Sequence, residues 1–168
     1  MKDVRPGIFS LLFIVIMSSC STYSPEVSNG MMLGEVDLYY LEDMFWFQRN
    51  YRQYNPETQN INVIKKLPKD ANIVFVGGIW HAQTQRMLPQ LIKSADQANI
   101  KQEKISVYFI DTELKSPEQW EKKFNVRSIP TCIVIKNGLE IARVEGIPDG
   151  SLDSELALQL QKRITSAK

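Results

Sequence analysis

Three spacings of apolar residues divide the chain. Residues 72–78, "NIVFVGG", form a short and nearly unbroken apolar run, the pattern of a strand buried on both faces. Beyond it Met87, Leu88, Leu91, Ile92, Ala95 and Ala98 recur at the 3.6-residue period and predict a helix with one apolar side. Residues 105–110 repeat the buried-strand pattern. Ser116-Pro117 predicts a helix with proline in its first turn, running to about Phe124. Residues 131–136 and 139–145 alternate as two strands around Asn137-Gly138, a strong hairpin signal. Ser151 is placed to cap a last helix, with Asp153 and Glu155 in its first turn and Lys162 and Arg163 near its end. The order is β-α-β-α-β-β-α. A helix between the first two strands makes them parallel, and the tight turn makes the last two antiparallel. The fold class is therefore α/β, a central mixed sheet flanked by helices, over residues 72–168.

The N-terminal part follows other rules. Val36, Tyr39, Tyr40, Phe47 and Tyr51, with Leu41, Met44 and Phe45 beside them, predict a helix over 35–53 that Asn55-Pro56 ends. Residues 35–71 are expected to form an N-terminal helical extension whose aromatic side packs on the following domain; an exposed partner surface is the alternative. Residues 20–34 are small, polar and Gly/Pro-containing, as in a tether. Before them, Lys2 and Arg5 precede an apolar run over 8–17, too short to span a bilayer and suited to a signal peptide over 1–19. The segment ends Met17-Ser18-Ser19-Cys20, which resembles the lipobox of bacterial lipoproteins, although Met17 and Asp3 are atypical. The resemblance implies acyl (palmitate-type) lipidation of Cys20. It implies a chain anchored in the bacterial cell envelope, facing the periplasm or the cell surface; a plain secretory signal is the alternative. Several acyl chains, at roughly 0.8 kcal/mol per buried methylene, suffice to hold a protein to a membrane.

Charge and cysteine content narrow the function classes. Of 168 residues, 43% are hydrophobic, as a packed core requires. Without the export segment the chain holds 18 basic and 18 acidic residues, and its basic residues come in pairs such as Lys65-Lys66 and Lys122-Lys123. No basic patch argues for a nucleic-acid partner. Two cysteines are present, Cys20 and Cys132. With Cys20 lipidated, Cys132 has no intramolecular disulfide partner.

Several of these residues together resemble thioredoxin over residues 72 to about 163. Trp80 stands where that family has the Trp of Trp-Cys-Gly-Pro-Cys, and Pro89 where its helix kinks. "YFID" ending at Asp111 is similar to its second core strand. "FNVRSIPT", 124–131, is similar to its Ile-Pro-Thr loop, and "KNG", 136–138, with Gly146, to its closing hairpin. The resemblance implies a thioredoxin-like fold and a cis Pro130. It also implies a peptide groove around Trp80, His81, Thr84, Ile129 and Pro130, in which the backbone before the proline pairs with an extended peptide. The chemistry departs. A Cys-x-x-Cys site at this helix start supplies a low-pKa thiol and a resolving thiol. Here those positions read His81-Ala82-Gln83-Thr84, and Phe75 replaces the family's buried acid. The chain also resembles a narrower group of exported bacterial proteins with a Trp-Cys-x-Asp-Ser/Thr site, matching Trp80, Thr84 and "RMLPQL" but replacing its Cys and Asp.

Two residues remain as weak catalytic candidates. His81, the single histidine, is a base or ligand in principle, yet the sequence offers it neither a second His nor an orienting partner, so no metal site is expected. Cys132, two residues after Pro130, is either a small buried hydrophobe or the thiol of a monothiol enzyme. The expectation is a degenerate, non-redox binding or scaffolding module without cofactor. The alternative is a thiol-disulfide oxidoreductase or peroxide-reactive enzyme using Cys132.

Overall fold

The computed structural model describes residues 26–28 and 31–166; the signal peptide expected over 1–19 and Cys20 lie outside the described residues. The elements in chain order are β1 (Glu26–Ser28), β2 (Met31–Val36), α1 (Leu38–Glu42), α2 (Phe45–Gln53), α3 (Thr58–Ile64), β3 (Ala71–Gly77), α4 (Ala82–Gln97), β4 (Ile105–Phe109), α5 (Trp120–Lys123), β5 (Thr131–Lys136), β6 (Leu139–Glu145) and α6 (Leu152–Ser166). They build one six-stranded sheet in the order β1-β2-β4-β3-β5-β6. Only β3 and β4 run parallel; the other neighbours are antiparallel.

The period of two in the strands sorts their side chains onto two cores. Ile73 and Phe75 of β3, with Cys132 and Val134 of β5, face a large core shared with α2, α3, α4 and α6. Val74, Val76 and Ile133 face a smaller one with Tyr108, Ile110 and Ile129, closed by Trp120 and Phe124 of the α5 region. Each fully buried aliphatic or aromatic side chain contributes about 1.5–3 kcal/mol, so the larger core dominates the stability. The Asn137-Gly138 turn has φ of 50° and 75°, the left-handed pair that a two-residue hairpin matching strand twist requires.

The strands expected over 72–78, 105–110, 131–136 and 139–145 and the helix expected through Met87 to Ala98 form, as β3, β4, β5, β6 and α4. Three N-terminal and central details differ. Residues 31–36, expected to be partly tether, form β2 and pair antiparallel with β4, Gly34 opposite Phe109 and Val36 opposite Val107. The single helix expected over 35–53 is two, because Asp37 caps α1 through the Tyr39 N–H and Asp43-Met44 interrupts the helix before α2. The helix expected from Ser116 begins only at Trp120: Gln119 takes a left-handed φ of 57°, and Ser116 Oγ accepts instead from the Trp120 N–H at 2.8 Å.

The helical extension is fastened to the sheet domain by polar as well as apolar contacts. Leu41, Phe47, Ile61 and Ile64 are buried in the larger core. Pro89 inside α4 lacks an N–H for the Gln85 carbonyl. That carbonyl is satisfied by Asn50 of α2, whose Nδ2 donates to it at 3.1 Å and to Trp46 O at 2.9 Å. On α6, Asp153 is 2% exposed and accepts from Tyr54 Oη and from Asn60 Nδ2, the latter at 3.0 Å.

Candidate functional site

The candidate site lies at the C-terminal end of β3, where the chain turns from sheet into α4. The His81 N–H donates to Gly78 O at 2.9 Å, closing a tight turn over 78–81. Two glycines let the turn sit close to its surroundings. A Cβ on Gly77 would lie 2.6 Å from Thr84 Cγ2, and one on Gly78 2.5 Å from Trp80 Nε1. The Trp80 indole therefore lies folded against Gly78, and its Nε1 donates to the Ile110 carbonyl at the end of β4, 3.0 Å away. It remains 37% exposed.

His81 and Thr84 are the first and last residues of the four-residue stretch expected to be a degenerate site. His81 is the N-cap residue of α4, with extended backbone and no side-chain cap bond. Its ring meets Trp80 edge to face, centroids 5.4 Å apart, and its Nδ1 lies 3.5 Å from Thr84 Oγ1. Thr84 is 0% exposed, and its hydroxyl accepts from the buried Gly78 N–H at 3.2 Å. Gln85 adds a further clamp, Nε2 to Ile79 O at 2.8 Å. Sequence reasoning missed both Gln85 and Gly78 as positioning residues; a helical residue four beyond His81 carried no signal of this role.

The dyad is poorly equipped for acid–base chemistry. A histidine base needs a third group to orient it, and among the described residues none is bonded to the His81 ring besides Thr84. Thr84 is committed to the backbone and shielded from solvent. Among the described residues no three His, Cys, Asp or Glu side chains gather closely enough to hold a metal ion.

The partner loop comes from the start of β5. The Ile129–Pro130 peptide is cis. Register places Thr131 opposite Val76, so the loop stands beside the end of β3 and the 78–81 turn. Thr131 Oγ1 donates to Ser128 O at 2.7 Å, and the Gly146 N–H to Pro130 O at 2.8 Å. Glu145 Oε1 holds the Arg127 and Ser128 N–H groups at 2.8 and 3.3 Å. Among the described residues nothing hydrogen-bonds to the Ile129 N–H or C=O. The Ile129 side chain and Pro130 are buried. Of the five expected groove residues, Trp80 and His81 thus present side chains outward; Ile129 can offer only its backbone, and Thr84 is enclosed.

Cys132 lies elsewhere. It is 0% exposed, on the face of β5 that meets the large core, across from Phe75 and Val144. Burial pushes its thiol up to about 12, so almost no thiolate exists at neutral pH.

No protein-family model matches the sequence, and no curated protein matches it. Solved structures do. A Pseudomonas aeruginosa protein of unknown function aligns over 80% of this chain and 94% of its own, at 12% identity and a TM-score of 0.55. An HIV epitope scaffold aligns over the same shares at 13% identity and 0.54. A Fasciola hepatica thioredoxin covers 61% of this chain and 88% of its own at 18% identity, with a TM-score of 0.41 too low to argue from. Likeness at these identities concerns the fold alone. With β3-α4-β4-α5-β5-β6-α6, its one parallel pair, closing hairpin and cis Pro130, that fold is thioredoxin-like.

Proposed function

We propose that this chain is a non-redox thioredoxin-like module that binds an extended peptide or protein segment beside Trp80, and that acylated Cys20 tethers it to the bacterial cell envelope. The observation that carries the first part is Thr84. At the position of a resolving thiol stands a buried hydroxyl bonded to Gly78 N, so the former reaction centre serves as a structural pin. The Ile129 main chain, on a residue 8% exposed, has no hydrogen-bond partner among the described residues; it lies in the loop next to the end of β3 and supports peptide binding, because an extended chain can add there by main-chain hydrogen bonds without any sulfur. Trp80, Thr84 and "RMLPQL" support kinship with the exported Trp-Cys-x-Asp-Ser/Thr group, whose Cys and Asp are replaced here by His81 and Gln83.

The lipobox-like Met17-Ser18-Ser19-Cys20 supports the tether. Among the described residues no helix is long and apolar enough to cross a membrane. Labelling cells with a palmitate analogue is expected to mark the chain and to miss Cys20→Ser.

Insulin reduction tests the non-redox reading. The protein is expected to stay at background in dithiothreitol-coupled turnover. Turnover well above background that disappears in Cys132→Ser would establish the monothiol alternative, against which the burial of Cys132 counts.

A further inference from the structure

The opposite end of the sheet from the 78–81 turn carries a cavity of about 470 Å³. It lies where β3 begins and where α3 and α4 end. Its floor is apolar: Ile64, Ala71, Ile73 and Ala98 are all less than a tenth exposed, with Leu67 and Ile100 beside them. Its rim is basic. Lys65, Lys69, Lys101 and Lys104 line it, against the single carboxylate of Glu103. Lys101 lies 3.6 Å from Glu103, whereas Lys65, Lys69 and Lys104 have no ion pair among the described residues.

Two helix C-termini point here, each worth about half a negative charge. Four ammonium groups against one carboxylate and these two helix ends still leave an excess of about two positive charges. The volume is within the range of small-molecule sites, roughly 300–1,000 Å³.

We propose that this cavity binds a small amphiphile of the fatty-acid type, its apolar body on Ile64 and Ile73 and its anionic head among Lys65, Lys69 and Lys104. The charge excess selects an anion, and the recessed apolar floor selects one with a hydrocarbon body. A peptide would need unpaired backbone groups to pair with. Residues 73–76 of β3 and 107–109 of β4 already have strands on both sides. A flat bilayer surface would meet the lysines but leave the floor empty.

Equilibrium dialysis of labelled decanoate, below its micelle threshold and at neutral pH, against the full chain tests this. Saturable one-to-one uptake is expected. It should weaken at least tenfold in the triple variant Lys65→Glu, Lys69→Glu, Lys104→Glu, with an unchanged circular dichroism spectrum. The contrast between the two proteins cancels any uptake by the apolar run over 8–17. Ala98→Leu, which shrinks the cavity and keeps every lysine, should also weaken it, and decyltrimethylammonium should show no saturable uptake. Uptake that is absent, equal for the cationic probe or untouched by both variants would overturn the proposal. So would lysine-dependent sedimentation with anionic phospholipid vesicles in the absence of decanoate binding, which would assign the basic rim to a membrane surface.

Discussion

Thr84 supports the turn between β3 and α4. Its hydroxyl is the acceptor for a buried backbone donor, the Gly78 N–H, and leaving such a donor unpaired costs about 1–3 kcal/mol. Thr84→Val, which keeps the shape and removes the acceptor, is expected to lose stability in that range in urea denaturation; Thr84→Ser should lose less. Cys132 makes the complementary case. Burial pushes its thiol up to about 12 and leaves almost no thiolate near neutral pH. A thiol reagent is therefore expected to modify native Cys132 far more slowly than the urea-unfolded chain. A native rate close to the unfolded one would contradict the burial described above. Both roles follow from environments that distant elements build. His81 and Thr84 are visible in the sequence as the wrong residues for a dithiol site, but nothing local announces that Thr84 faces Gly78 and not a groove.

Between elements, the junction of α2 with α4 rests on a vacancy in a hydrogen-bond ladder. Pro89 cannot donate to Gln85 O, and Asn50 donates in its place. Asn50→Ala is expected to cost about 1–3 kcal/mol. The cost should shrink in a Pro89→Ala background, where a helical N–H returns to the carbonyl; a double-mutant cycle that finds the two changes additive would show that the bonds are independent. Pro89 was legible from the sequence as a gap in a helix's hydrogen-bond ladder, and the strands from residue 72 onward were legible from their apolar runs, because both are local signals. β2, the late start of α5 and the division between α1 and α2 were not. "MMLGEV" has the glycine and short length of a linker, and it becomes β2 only because the edge of β4 is free to pair with it. Ser116-Pro117 carries a helix-start signal, yet Ser116 spends its hydroxyl on Trp120 and Glu121, and the left-handed Gln119 delays the helix. Asp43-Met44 breaks the aromatic stripe of residues 39–51 without a proline or glycine to mark the break.

The whole molecule is held across its length by Asp153, which joins α6 to the segment between α2 and α3. Its carboxyl lies above the usual 3.8, raised by burial against the opposing pull of the Asp153, Glu57 and Ser154 N–H groups. An acid with a raised folded pKa binds its proton more tightly folded than unfolded. Stability therefore falls as pH rises from about 4 through the raised value, and levels off above it. Asp153→Asn should flatten that part of the stability curve, measured as Tm against pH between about 4 and 7. If the variant keeps the full slope, other carboxylates are responsible. Tyr54→Phe, which removes one donor to Asp153, should cost about 1 kcal/mol at neutral pH. The same contact has a consequence for the order in which the chain is made. Tyr54 and Asp153 are 99 positions apart, and Asn50 waits 35 residues for Gln85. During vectorial synthesis, Ile61 and Ile64 of α3 emerge well before α6, which covers them. α3 is thus made early and sealed late, and a protein shortened just before Leu152 would leave its apolar side open.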